Sequence, residues 1–394
     1  MPPYRRITLA VGVSMFVDAS LYLAVLPLLP RYADQFNLDT FQTGVVLAAY
    51  PASVPFVSLA CIVLVPRVGA RRISLWSALL MTVATVIFAW SPNAAVLVLA
   101  RFVQGFASGS IWTASMSWVT DNAPPGRRGR ESGIVMGLLS AGSVAGPGIG
   151  ALAATAGSET AFGLVAAVSG LGVVLTALAP AGRRVGSDSR LFRALRAGAG
   201  QPATIAALAM SVIDLTAFGA VDLLVPLRLG HRGTSVEAIA LAFALGAVLG
   251  AAIGPPAGRL VDRIGPAKVG LVAAFGVLLN PVLLSFDPPN AVQLALLVTA
   301  GPMFAVIGAS MFPLSSLGAD AARVSHVTVM GLMGVVWAAG FAVAPLLMGA
   351  VAEATSPATA FALAAFLCLP SLVVLARSVR SIGLRPVTAE PAGD

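Results

Sequence analysis

Charge is scarce in this chain. Only 10% of its 394 residues are Asp, Glu, Lys or Arg, where a soluble domain carries about 25%. Hydrophobic residues make up 58%, and mean hydropathy is +0.92. No soluble fold hides that much apolar surface, so the bilayer is the expected solvent. The two cysteines, Cys61 and Cys368, both fall inside apolar runs. They argue for packing and against a disulfide or a metal site. The two histidines, His231 and His326, stand in loops or at helix ends. No Walker loop occurs, so ATP hydrolysis by this chain is not supported. No cofactor, metal or enzyme activity is expected. The alternating ten-residue segments of a membrane β-barrel are lacking too.

What the chain has is long apolar runs, and a membrane-spanning helix needs roughly 20 such residues. Twelve runs stand at about 7–29, 41–65, 73–90, 94–119, 132–156 and 160–180, then 203–227, 236–257, 267–286, 291–318, 327–352 and 357–377. The first follows Arg5 and Arg6 like a signal peptide. It is too long for one and holds Asp18 at its centre, so it reads as a retained helix. The expected fold is an all-α integral membrane protein. Its parts are a six-helix bundle over 1–180, a polar Arg-rich linker loop over 181–202, a second bundle over 203–377 and a tail over 378–394.

Net charge is +8, yet its placement argues against nucleic acid as the partner. With twelve spans, 20 of the 24 Lys and Arg fall on one side, among them Arg5, Arg6, Arg67, Arg71, Arg72, Arg127, Arg128, Arg130, Arg259, Arg263 and Lys268. The other side holds Arg31, Arg228 and Arg232, and Arg101 lies within a span. The positive-inside rule then makes both termini and the linker cytoplasmic, in a multi-pass protein of the cell membrane.

The chain also repeats itself. A shift of 196 residues lays Asp18 on Asp214, Pro30 on Pro226 and Gly69 on Gly265. A shift of 198 lays Gly142 and Pro147 on Gly340 and Pro345. Two parallel six-helix halves with cargo bound between them near the midplane is a known transporter plan.

Asp18 is 11 residues into its run, roughly 16 Å deep, about half the ~30 Å apolar thickness. An acid there is costly and should face a cavity or a partner. A buried acid that exchanges its proton as access alternates is what proton coupling requires, so Asp18, Asp214 and Asp222 are candidates. In the fourth span, Arg101, Gln104, Ser108, Trp112 and Ser115 form one polar and aromatic stripe, with Gly105 and Gly109 beside it where a neighbour can approach. A guanidinium is always charged, and Asp18 is its expected partner. Tyr22, Trp112, Met116, Phe218 and Met311, with Gln104 and Ser108, are expected to line an adaptable cargo cavity. In the fifth span Gly142, Gly146 and Gly150 make a small-residue face, and Pro147 should bend the helix. That face suits a sliding seam between the halves. Pro27 and Pro30 should bend the outer end of the first span.

The run "GRLVDRIG" at 258–265 has a degraded copy, "IVLVPRVG", at 62–69. Gly258, Asp262, Arg263 and Gly265 belong to the intact copy; Arg67, Gly69 and Arg71 survive at the other. By the repeat, Asp262 should face Arg127, Arg128 and Arg130, and the arginines of the degraded copy should face Asp320. An asymmetric cytoplasmic latch follows.

These residues resemble the major facilitator superfamily over nearly the whole chain, and most of all its twelve-helix drug:proton antiporters. "GRLVDRIG" is similar to the superfamily loop signature G-x-L-x-D-R-x-G. "RFVQG" at 101–105 resembles the fourth-helix signature R-x-x-Q-G, and "GSVAGPGIG" at 142–150 the antiporter signature G-x-x-x-G-P-x-x-G. "PLLP" at 27–30 resembles the first-helix signature of the exporters, and the acid in "DASLYLAVLPLLP" is similar to the vesicular amine branch. The resemblance implies that the first, fourth, seventh and tenth spans line the cavity, and that Arg101 takes part in proton transfer with the acid of the first.

The leading expectation is a monomeric exporter of small amphipathic compounds in exchange for protons. A proton-coupled uptake permease for a sugar or organic acid is the alternative on the same fold. A transport-inactive sensor or scaffold is the alternative of another class.

Overall fold

The computed structural model describes residues 2–124, 128–182, 191–324 and 326–383, and regular structure among them is helical throughout. The first span is α1 (Pro3–Val25), a 3₁₀ turn at Leu26–Leu28 and α2 (Leu29–Phe36). The second and third are α3 (Thr40–Val68) and α4 (Ala70–Ala89). The fourth is α5 (Ala94–Ser110), a five-residue π-helical segment at Ile111–Ser115 and α6 (Met116–Asn122). Then come α7 (Arg128–Ala156) and α8 (Ser158–Leu178). After α9 (Leu191–Ala199), the second set is α10 (Pro202–His231), α11 (Val236–Ile264), α12 (Pro266–Ser285), α13 (Asn290–Ala322), α14 (His326–Ala354) and α15 (Pro357–Gly383). Among the described residues eleven helices are long and apolar enough to cross a membrane, and the 29-residue α3 supplies a twelfth.

Local chemistry sets the boundaries. Asp39 and Gln42 form a reciprocal capping box at the start of α3, with 2.6 and 3.1 Å bonds. That satisfies two otherwise orphaned N–H groups. Asn93 and Ser235 cap α5 and α11 through their side chains. Pro27 and Pro30 break the first span where expected, as the 3₁₀ turn. The linker departs from expectation: it contains α9, whose Gly198 lies beside Val324 and Val329 at the ends of α13 and α14.

The glycine face of the fifth span does not lie between the halves. A Cβ on Gly142 would fall 2.2 Å from the Phe16 carbonyl oxygen, and one on Gly150 would fall 2.5 Å from that of Ala24. A Cβ on Gly146 would meet the Ser20 oxygen at 2.9 Å. The face is therefore the seat of α1 within the first bundle. Backbone-to-backbone packing of this kind needs small residues. Pro147 lies within α7, which runs unbroken past it.

Both copies of the charged loop make the same turn. Gly69 and Gly265 have φ of 98° and 91°, and their N–H groups donate to Val65 and Val261 at 2.9 Å. Glycine is the residue for such a backbone; the acid is not needed for it. Arg71 does not reach toward Asp320. It donates to the carbonyls of Thr176 (3.5 Å) and Ala177, capping the end of α8. Arginine at a helix C-terminus satisfies carbonyls that have no helical partner. Arg67 and Arg263 are exposed. The side chains of Asp262, Arg128 and Arg130, and all of Arg127, lie outside the described residues.

The two bundles meet at the end away from these arginines. Thr40 N donates to Glu353 Oε2 at 2.9 Å. Gly44 lies against the Pro345 carbonyl, Gly349 against that of Thr40, and Gly230 against Pro30. At that end Asp287 takes bonds from Arg228 (3.0 Å) and Arg232 (2.5 Å).

Candidate functional site: a buried acid chamber between the bundles

Asp18 is buried at mid-depth on α1 and accepts hydrogen bonds from Tyr50 and Trp112, with Ser108 also against it. The Tyr50 hydroxyl donates to Oδ1 at 2.5 Å, and Trp112 Nε1 donates to Oδ2 at 3.0 Å. Tyr50 comes from α3 and Trp112 from the π-helical segment. That segment follows α5 directly, and such insertions re-aim side chains. Trp112 is 39% exposed although it touches a 6%-exposed carboxylate. The surroundings of the acid are thus part-exposed on the Trp112 side.

Arg101 does not pair with Asp18. Its Nη1 donates to the Leu21 carbonyl and to Gln104 Oε1, both at 3.2 Å. Its guanidinium carbon lies 4.4 Å from the Tyr50 ring centroid. Nε and Nη2 are buried without a hydrogen-bond partner among the described residues. Tyr50 therefore stands between acid and base, bonded to one and stacked on the other. Gln104 passes the network on to Thr85 at 3.3 Å. The expected stripe splits at its end, where Ser115 turns away to bond Ser74 on α4 at 2.8 Å. Gly105 and Gly109 do admit a neighbour, α3: a Cβ on Gly105 would fall 1.7 Å from the Tyr50 carbonyl oxygen.

Six aromatic rings link the bundles. Tyr50, Tyr22, Phe341, Trp337, Phe304 and Phe218 follow one another with centroid separations of 5.5–5.7 Å. Edge contacts of this kind are favourable, and ring faces also attract cations. Tyr22, Phe218 and Met116 are part-exposed, as cavity residues should be. Met311 is not one of them. It is 1% exposed and accepts a 3.0 Å bond from Ser211, inside the core of the second bundle.

Asp214 and Asp222 are buried on α10. Neither oxygen of Asp214 has a hydrogen-bond partner among the described residues. The 196-residue shift explains the contrast with Asp18, because it lays Tyr50 on Gly246, Arg101 on Leu297, Gln104 on Ala300 and Trp112 on Gly308. The backbone nonetheless repeats. As Gly105 meets the Tyr50 carbonyl, so a Cβ on Gly301 would fall 2.0 Å from the Gly246 carbonyl.

Sequence reasoning missed Tyr50, Trp337 and Phe341, which sit in apolar helices without a motif around them. It also missed Glu131, buried and bonded by Thr8 at 2.7 Å. An acid just ahead of the fifth run was the available signal.

Two helical bundles of membrane-spanning length with acids buried at mid-depth fit one class, a polytopic membrane transporter. The Major Facilitator Superfamily model matches residues 8–330 and again 207–392. The chain belongs to that superfamily. Over 172 residues it is 30% identical to the "MFS-type transporter ppzB" of Metarhizium rileyi, covering 42% of this chain and 35% of that protein. Over 152 residues it is 25% identical to the quinolone resistance protein NorA of Staphylococcus aureus, covering 39% of each. The matches thus span little more than a third of these relatives. Among solved structures, the nucleoside transporter NupG superposes with a TM-score of 0.75 at 14% identity, over 94% of this chain and 99% of that one. A bacterial homolog of the human lysosomal transporter Spinster, inward-facing and occupied, gives 0.74 at 17%, over 98% and 97%. These two likenesses concern the fold.

Proposed function

We propose that this superfamily transporter exports small amphipathic compounds in exchange for protons. It works as a monomer in the cell membrane, with both termini cytoplasmic. The observation that carries the reading is Asp18, an acid at mid-depth held by Tyr50 and by the part-exposed Trp112. A scaffold has no use for so costly a group. The ring series beside it offers a soft, adaptable wall for an apolar or cationic body. The antiporter-like run over Gly142–Gly150 and the similarity to NorA favour export over uptake.

In this reading the bundles 1–180 and 203–377 rock about the chamber, joined by the linker 181–202. Asp18, Asp214, Asp222 and Arg101 handle protons and cargo charge. Tyr22, Gln104, Ser108, Trp112, Met116 and Phe218 face or support the cargo. Asp262 and Arg263, with Gly258 and Gly265, serve the cytoplasmic latch more strongly than Arg67 and Gly69.

The test is a panel of toxic compounds on cells with and without the gene, with intracellular accumulation measured with and without a proton uncoupler. Lower accumulation that the uncoupler reverses is expected for at least one compound. Higher accumulation in expressing cells points to an uptake permease, and no effect on any compound points to a sensor.

A further inference from the structure

Two acids hold equivalent places in the two bundles, and their surroundings are opposite. Asp18 accepts from a hydroxyl and an indole, and Arg101 stands behind Tyr50. Asp214 is 0% exposed, and both its oxygens lack a hydrogen-bond partner among the described residues. The packing around it offers no help. Titratable groups near it are Asp222, two turns along α10, and Cys368 of α15, whose Sγ lies 3.6 Å from the Ile213 carbonyl. On this stretch α13 contributes Met311 beside Ser211, and α14 contributes Gly340 beside Leu215. No described arginine or lysine is paired with it.

The difference is written in the repeat. Where the first bundle has Tyr50, the second has Gly246, whose carbonyl is in contact with Gly301. Where the first has Trp112, the second has Gly308. The donors are lost in the second bundle, while the close helix approach is common to both. A carboxylate with charge-assisted donors is stable as an anion. One with neither donor nor cation, in apolar surroundings, is far costlier than the neutral acid.

We propose that Asp214 carries the coupled proton, and that Asp18 stays ionised as the fixed negative charge of the chamber. The proposal rests on the proton-coupled reading above and assigns its acids. On release, the O–H bond of the Asp214 carboxyl breaks and the proton passes to water. The carboxylate left behind needs a positive charge or new donors, which cargo or a shift of α10 against α13 and α15 must bring. On reloading, water returns a proton to the same oxygen and the neutral acid is restored. No electrons are exchanged.

The experiment is infrared spectroscopy of the purified full-length protein in lipid nanodiscs, titrated through pH. We expect the C=O stretch of a protonated carboxyl near neutral pH that fades as pH rises. It should persist in Asp18→Asn and be absent from Asp214→Asn. Dicyclohexylcarbodiimide, which reacts with protonated carboxyls in apolar sites, should label Asp214 and not Asp18 in the wild-type protein. That measurement keeps the test open should a variant fold poorly. A band that survives in Asp214→Asn, a band lost in Asp18→Asn, no band at all, or label on Asp18 overturns the proposal. Neither measurement needs a cargo. Absence of uncoupler-sensitive efflux would sink the exporter reading and is scored separately in cells.

Discussion

The guanidinium of Arg101 rests on the ring of Tyr50, 4.4 Å from its centroid, while the hydroxyl of the same ring bonds Asp18. Acid and base are thereby kept apart yet linked through one side chain. Each can respond to the other's surroundings without neutralising it.

Tyr50→Phe keeps the ring under Arg101 and removes the donor to Asp18. A hydrogen bond to a charged group contributes about 1.5–3 kcal/mol, so efflux should slow at least ~10-fold and the melting temperature should fall. Tyr50→Leu also removes the cation–π contact, worth about 2 kcal/mol when desolvated, and should lower the melting temperature further. Wild-type efflux rates in Tyr50→Phe would show that Asp18 does not depend on this donor.

Gly105→Ala should be poorly tolerated. Its Cβ would fall 1.7 Å from the Tyr50 carbonyl oxygen, and overpacking of this kind costs about 1–3 kcal/mol. Gly137→Ala, with nothing within 4 Å, should be neutral or gain up to about 1 kcal/mol of helix propensity. Thermal melts of the two variants in detergent, run side by side, decide the matter.

Much of the architecture was legible in advance, because bilayer thickness makes apolar run length a direct reading of span. The repeat was legible from its glycines and prolines, which record backbone contacts, and the Gly105 and Gly301 contacts bear that out. Side chains were harder. Asp18 and Arg101 stood out because charge is rare in such helices, but their mutual arrangement did not. It depends on Tyr50, an aromatic residue like many others in an apolar run, and on a π-helical segment that no spacing rule announces. The Gly142–Gly150 face was visible as a face. Which neighbour it met was not, since small residues serve packing within a bundle and between bundles alike.

Gly44→Leu should weaken the closure at the arginine-poor end. A Cβ there already falls 2.9 Å from the Pro345 carbonyl and 3.3 Å from Leu223. Spin labels on Gln35→Cys and Thr355→Cys, in different bundles, should show a longer distance in the Gly44→Leu background. An unchanged distribution would mean that the bundles meet elsewhere.

Gly69→Ala and Gly265→Ala should cost alike, about 1–3 kcal/mol each, the penalty for a side chain in a positive-φ extended backbone that is essentially glycine's own. Their φ angles are 98° and 91°, and no atom lies within 4 Å to add a steric cost. Chemical denaturation of the two variants should give matching losses. A large gap between them would show that the intact copy of the loop is stabilised by more than its turn.

The contacts of Gly44 and Gly349 with backbone carbonyls have a physiological corollary. A seal made by carbonyls against glycine carries no net charge at the contact, so the Debye screening that weakens surface ion pairs has little hold on it. Apart from the one carboxylate there, Glu353 bonded by Thr40 N, the closed end should hold about as well in brine as in fresh water.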